Sequence, residues 1–170
     1  GPDGQYHIND VTISENIGSR SGGGIYLAKA GEVNMTNCTI SNNHTENGLA
    51  DSPQGGAGIH ISIDYSGTTT LNLSDVTISG NVIEAESVSG VGAGIWNEDA
   101  SYGSSIVMNG GTIEGNINNS ETPDGSAIAS YGGQIVINDA SITNNTGGNV
   151  ITIHPNGGSS LALTNTNIEF

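Results

Sequence analysis

The chain has 170 residues and a formal net charge of −15, with 17 acidic residues and two basic ones, Arg20 and Lys29. Binding to nucleic acid or to anionic lipid depends on Lys and Arg, so this composition argues against both kinds of partner. No apolar run approaches the roughly 20 residues of a membrane-spanning helix, so we expect no direct membrane insertion. Gly1 and Pro2 look like a protease-cleavage scar, and we therefore treat residues 1–170 as a single domain cut from a longer chain.

The first predicted element is a pair of short strands that ends on an asparagine. Apolar side chains alternate over residues 6–8 and again over 11–13, with one extra residue, Asp10, between the two runs. Period-two alternation predicts strand, and the extra residue predicts a bend. The same pattern returns five times, and a residue type that tolerates left-handed backbone stands at each bend. These later bend residues are Asn37, Asp75, Gly110, Asp139 and Asn165.

A second kind of strand precedes each later copy of the pair. It reads GGGIYL from residue 22, GAGIHI from 56, GAGIWN from 92, GSAIAS from 125 and GNVITI from 148. The isoleucine of the strand pair recurs at intervals of 27, 38, 35, 29 and 26 residues, at positions 13, 40, 78, 113, 142 and 168. Intervals of this size suit one rung of a three-sided parallel β-helix with insertions in its loops. We therefore predict an all-β fold, a single-stranded parallel β-helix of about five coils.

An asparagine closes five of the six strand pairs. Successive coils of a β-helix stack at about 4.8 Å, so that equivalent positions form columns. The predicted column contains Asn16, Asn43, Asn81, Asn116 and Asn145. Each side-chain amide can donate to one neighbour and accept from the other, as in the asparagine ladders of stacked strands. We expect these residues to be structural, and we expect Cys38, which shares a column with Val11, Val76 and Ala140, to be buried.

The GGGIY and GAGIW segments, each followed by TISNN or TISGN, resemble a known family. They are similar to the polymorphic outer-membrane-protein repeat of autotransporter passengers and to the adhesin-like β-helix proteins of gut bacteria and methanogenic archaea. The resemblance extends over nearly the whole chain. It implies a right-handed parallel β-helix on a cell surface, often adhesive. It identifies no ligand.

The residue that follows the strand isoleucine should point away from the core. In three consecutive coils this residue is Tyr26, His60 and Trp96. We also expect a strip of outward glycines beside these rings, at Gly24, Gly58 and Gly94. An exposed row of rings would suit stacking with a sugar, and the alternative is a self-stacked aromatic ladder that only stabilises the solenoid. The inserted loops expected to contact a ligand are 44–54, 82–90, 96–105 and 117–124.

The sequence contains no recognisable catalytic motif. Hydrolysis of a glycan needs two facing carboxylates, and the acidic residues fall in variable loops rather than at fixed strand positions. Carboxylates in flexible loops can bind calcium. The candidates are Glu84, Glu86, Glu98 and Asp99, although no calcium-loop motif accompanies them. The four histidines have no metal-ligand spacing, so we expect surface histidines, and we expect no cofactor.

These patterns favour a segment of a secreted or cell-surface adhesin. It would be an extended scaffold whose loops contact a host protein or a glycan, located outside the cell or on its surface. Two alternatives remain, a carbohydrate-active enzyme with loop carboxylates and a purely structural stalk. Neither end carries a polar cap, so we expect a monomer, or end-to-end contacts through the uncapped coils.

Overall fold

The computed structural model describes residues 4–28, 30–46, 53–62, 67–84, 89–98, 103–155 and 158–169. All regular secondary structure within these ranges is β-strand, arranged in five parallel sheets. In the part of the chain so described, no helix is long and apolar enough to cross a membrane. Each strand pairs with its equivalent one coil away, which is the pattern of a parallel β-helix. The predicted fold class is confirmed.

Sheets I and II are the two largest and contain the predicted strand pairs. Sheet I consists of β1 (Gln5–Asn9), β5 (Gly31–Thr36), β10 (Thr69–Ser74), β15 (Ser105–Asn109), β20 (Gln134–Asn138) and β23 (Ser160–Thr164). Sheet II consists of β2 (Thr12–Ser14), β6 (Thr39–Ser41), β11 (Thr77–Ser79), β16 (Thr112–Glu114), β21 (Ser141–Thr143) and β24 (Asn167–Ile168). The isoleucines at 13, 40, 78, 113, 142 and 168 are paired in register, as their spacing predicts.

Three smaller sheets complete the coils, with four, three and five strands. Sheet III consists of β3 (Ile17–Gly18), β7 (His44–Thr45), β12 (Val82–Ile83) and β17 (Ile117–Asn118). Sheet IV consists of β8 (Gln54–Gly55), β13 (Ser89–Val91) and β18 (Thr122–Asp124). Sheet V consists of β4 (Ile25–Ala28), β9 (Ile59–Ser62), β14 (Ile95–Asn97), β19 (Ile128–Ser130) and β22 (Ile151–Ile153). Sheets III and IV lie where the sequence predicted loops, because strands of two or three residues are too short to show alternation.

The bends between sheets I and II have left-handed backbone at every coil. The backbone angle φ lies between 47° and 72° at Asp10, Asn37, Asp75, Gly110, Asp139 and Asn165. Asp and Asn adopt this conformation at lower cost than other residues with a side chain, because their short polar groups can hydrogen-bond locally. The bend predicted from these residue types is confirmed.

The core lies between sheets I, II and V. Ile40, Ile78 and Ile113 of sheet II are fully buried and pack in one cluster with inward residues of the other two sheets. The end coils lack a neighbour on one side, so Tyr6 and Leu163 are exposed.

The closing asparagines form a hydrogen-bonded column. In all four steps the side-chain Nδ2 donates to the Oδ1 of the asparagine one coil on, at 2.9 Å. The same Oδ1 accepts the backbone N–H of the donating residue, at 3.0–3.1 Å. A further Nδ2 bond reaches back to an isoleucine carbonyl, as from Asn81 to Ile40 at 3.0 Å. Asn43, Asn81 and Asn116 are fully buried, whereas Asn16 at the end of the column is exposed.

We predict that Asn81→Ala destabilises the protein. It removes the acceptor of the Asn43 backbone and side-chain N–H groups and leaves them buried without a partner. A buried unsatisfied group costs about 1–3 kcal/mol, so chemical denaturation should show a loss of at least this size. Asn72→Ala is the matched control, because Asn72 lies on the same coil and its half-buried side chain bonds to Asn34 outside the core. We expect the control to cost less than about 0.5 kcal/mol. Equal losses for the two variants would contradict a structural role for the column.

We predict that the thiol of Cys38 is protected in the folded protein. The residue is 1% exposed, and its Sγ donates to the backbone carbonyls of Thr36 and Ile8 at 3.3 and 3.4 Å. A polar thiol reagent should therefore label Cys38 only after unfolding in denaturant. A variant carrying both Cys38→Val and Ser19→Cys moves the thiol to an exposed turn and should label at once. Rapid labelling of the native wild-type chain would refute the assigned register.

Candidate functional site

Five rings form a continuous row along one side of the solenoid. The row consists of Tyr26, His60, Trp96, Tyr131 and His154, and we call it the ring row. The centroids of His60 and Trp96 are 4.2 Å apart with the ring planes 4° from parallel. The other three neighbours are 5.1, 6.3 and 4.3 Å apart and meet edge-on or tilted. Such contacts stabilise the coils on which the rings are carried.

The first three rings occupy equivalent positions, as the sequence predicted. Tyr26 pairs with His60 and His60 with Trp96 in the register of sheet V. The next two residues in that register are Ala129 and Thr152, whose side chains are too small to continue the row. Tyr131 and His154, each two residues further along the chain, take their places. The sequence could have identified them, because a residue two positions after Ala129 or Thr152 points to the same face of the strand.

The expectation of an exposed row is wrong for its centre. His60 and Trp96 are each 3% exposed, whereas Tyr26 at the end of the row is 44% exposed. The cause is sheet IV, whose strands run beside the rings. A Cβ on Gly55 would overlap the Trp96 ring, and Trp96 also packs on Val91 and Ala129. The central rings therefore belong to the scaffold, and Trp96 lies with Val91 and Ala129 in a small hydrophobic cluster outside the main core.

The glycines expected beside the rings do not form an outward-facing strip there. A Cβ added to Gly58 would meet the carbonyl of Gly94 and, at 3.1 Å, the side-chain nitrogen of Asn81. Gly24 approaches the side chain of Asn43 in the same way. These glycines face the asparagine column, and the chain turns two residues before each of them, where Gly22 and Gly56 have positive φ. They provide no flat surface for a ligand.

Three histidines pair with carboxylates of a neighbouring coil. His60 Nε2 lies 3.0 Å from an oxygen of Glu98, His154 Nε2 lies 2.6 Å from Asp124, and His44 Nδ1 lies 3.2 Å from Glu84. His60 is buried, so the expectation of surface histidines is wrong at this position.

The pKa of the Tyr131 phenol is raised by its burial and, in addition, by the charges of Asp124 and Glu98. This shift favours the neutral phenol within the ring row. Tyr131 therefore remains an uncharged ring between Trp96 and His154 at neutral pH.

The structure describes two of the four candidate calcium ligands. Glu84 and Glu98 each pair with a histidine, and Glu86 and Asp99 fall outside the described residues. Within the described ranges, no three His, Cys, Asp or Glu side chains are grouped as a metal site would require.

An open cavity of about 330 Å³ lies at the exposed end of the ring row. Its walls come from β4, β9, β14 and adjoining segments of the chain, and they consist of Arg20, Ser21, Tyr26, Pro53, His60, Ser62, Trp96 and Glu98. The Tyr26 hydroxyl donates to Ser62 Oγ at 2.7 Å and so fixes the exposed ring. The cavity thus combines an apolar ring with hydroxyl, guanidinium and carboxylate groups. This mixture can stack on a sugar ring and hydrogen-bond its hydroxyls.

Two of the predicted contact loops reach this cavity. Pro53 belongs to loop 44–54, and Glu98 belongs to loop 96–105. The described parts of loops 82–90 and 117–124 contribute strands of sheets III and IV instead. Arg20, which no sequence pattern associates with the rings, lines the same cavity, and its neighbour Ser21 forms a β-bridge with Gly55 of the next coil.

The model of the Chlamydia polymorphic membrane protein repeat matches residues 10–28. The resemblance noted in the sequence is therefore confirmed on the first coil, which contains Asn16 and Tyr26. No curated protein and no solved structure matches the chain. The match supports a cell-surface, adhesin-like protein in general terms.

We predict that Trp96→Ala destabilises the fold. Removing a buried tryptophan typically costs about 3–5 kcal/mol, and Trp96 is buried between His60, Val91 and Ala129. Its Nε1 has no hydrogen-bond partner among the described residues, so packing should account for the loss, and Trp96→Phe should retain much of the stability. Thermal unfolding measures the effect. Because Trp96 is the only tryptophan, a native emission maximum typical of a buried indole provides an independent check.

Tyr26→Ala is the comparison variant, because Tyr26 belongs to the same ring row but its ring is half exposed. We expect a smaller fall in melting temperature than for Trp96→Ala. A Trp96→Ala protein as stable as wild type, with solvent-exposed tryptophan emission before substitution, would contradict the buried position.

Proposed function

We propose that this chain is a segment of a cell-surface adhesin whose ring-lined cavity binds a glycan. The observation that carries the proposal is the cavity itself. It places the half-exposed ring of Tyr26 beside the polar groups of Arg20, Ser62 and Glu98. Sugar rings present apolar C–H faces and hydroxyl edges, and this wall offers a partner for each.

The position of the cavity supports binding rather than spacing alone. Side chains from three consecutive coils meet there, on strands β4, β9 and β14 and the turns beside them. The coils concerned also carry insertions, and insertions are where solenoids commonly place binding residues. The buried centre of the ring row supports the exposed ring from below, which limits the entropy lost when a ligand binds.

Binding without turnover fits the cavity better than glycan hydrolysis. Glycosidases usually position two carboxyl groups on either side of the scissile bond. Among the described lining residues Glu98 is the single carboxylate, and it already contacts His60. The enzyme alternative therefore has less support.

A glycan array tests the proposal directly. We expect the purified chain to bind a subset of glycans and Tyr26→Ala to lower that binding at least about tenfold, the equivalent of 1.4 kcal/mol. Tyr6→Ala is the control, because Tyr6 is also an exposed tyrosine but is not among the residues that line the cavity beside Arg20. Loss of binding in both variants, or in neither, would contradict the assigned site. Absence of binding to every glycan on the array would support a purely structural stalk. Release of reducing ends from a glycan would support a carbohydrate-active enzyme.

A further inference from the structure

Arg20 is exceptional in the charge distribution of the chain. It is one of two basic residues in a molecule with a net charge of −15. It is exposed at the rim of the cavity, and among the described residues it forms no ion pair. The 17 acidic residues of the sequence offer many ways to neutralise a guanidinium. Because no described residue pairs with it, the guanidinium beside the ring of Tyr26 points to an anionic group on the ligand.

We propose that the cavity selects a sugar that carries a carboxylate, of the uronic-acid or sialic-acid type. This inference rests on the proposed glycan-binding function and specifies its ligand class. The guanidinium of Arg20 binds the carboxylate, and the ring of Tyr26 stacks on the sugar face. Arginine suits this role because its planar fork donates two parallel hydrogen bonds to one carboxylate.

Glu98 is the group on the cavity wall that opposes an anionic ligand. Its carboxylate oxygen lies 3.0 Å from His60 Nε2 and accepts a hydrogen bond there, so it is held against the ring row. In this position it remains an acceptor for sugar hydroxyls. Arg20 has no such partner among the described residues and is the lining group that can bind an anion.

The overall negative charge acts at longer range. In physiological salt the screening length is about 8 Å, which weakens repulsion from distant carboxylates. A direct contact with Arg20 acts within a few ångströms and is screened much less. The local contact therefore favours the acidic sugar, and the net charge of the chain opposes it more weakly at longer range.

Matched pairs of sugars test the inference. We would titrate the chain with 3′-sialyllactose against lactose, and with a glucuronic-acid-terminated oligosaccharide against its glucose-terminated equivalent, following shifts of backbone amide signals. We expect the acidic member of at least one pair to bind at least about tenfold more tightly. Arg20→Gln should remove that difference, mainly by lowering the affinity for the acidic member of the pair at least about tenfold. Arg20→Lys keeps the charge without the fork and should retain part of the preference.

The outcomes separate this inference from the function on which it rests. Equal binding of acidic and neutral sugars, lost in Tyr26→Ala, would overturn the acidic ligand and leave the glycan site intact. An acidic preference that survives Arg20→Gln would overturn the role of Arg20. Failure of both acidic probes to bind would overturn the inference. If no glycan on the array binds either, the proposed function would be overturned as well. Unchanged melting temperature in Arg20→Gln shows that any loss is not due to unfolding.

Discussion

The hydrogen bonding of a buried primary amide is the constraint on which the rest of the structure depends. A buried asparagine has two N–H donors and an acceptor oxygen, and leaving them unpaired is costly. In this chain the partners of Asn81 are Asn43, Asn116 and the carbonyl of Ile40, all from neighbouring coils. Every coil must therefore return to the same position and turn there in the same way. Loops elsewhere can vary in length because the position of the ladder asparagine in each coil is fixed.

The same requirement explains which parts of the fold the sequence could predict. The ladder asparagines and the Asp, Asn or Gly bends recur as residue types, so the sheet register followed from spacing alone. Sheets III and IV could not be predicted, because strands such as Gln54–Gly55 are too short to display a period. Their absence from the prediction made Trp96 appear exposed. A residue that points away from one core is buried when a second layer of backbone, here at Gly55 and Val91, covers it.

The candidate site was predictable only in part, for a related reason. Equivalent positions identified Tyr26, His60 and Trp96, but the later rings of the row come from a different position on their strands. Arg20 joins the site through a single bridge between Ser21 and Gly55, a contact between adjacent coils that no sequence period marks. Columns are therefore predictable where one residue type repeats. A site that combines turns of different coils is not predictable in this way, because the positions of the turns depend on how the coils pack.

Two adjacent positions of sheet V have different roles in each coil, one in the scaffold and one on the outer face. The isoleucine of sheet V is kept at residues 25, 59, 95, 128 and 151, whereas the residue after it changes from Tyr26 to Thr152 through His, Trp and Ala. The first residue must fill the core, and the second meets only the outer layer. Where a ring at the second position is covered, as at Trp96, it joins neighbouring coils. Where the stack leaves it open, as at Tyr26, the same position presents a ring to solvent. One repeat can therefore provide either stability or a binding surface, and the coverage by sheet IV decides which.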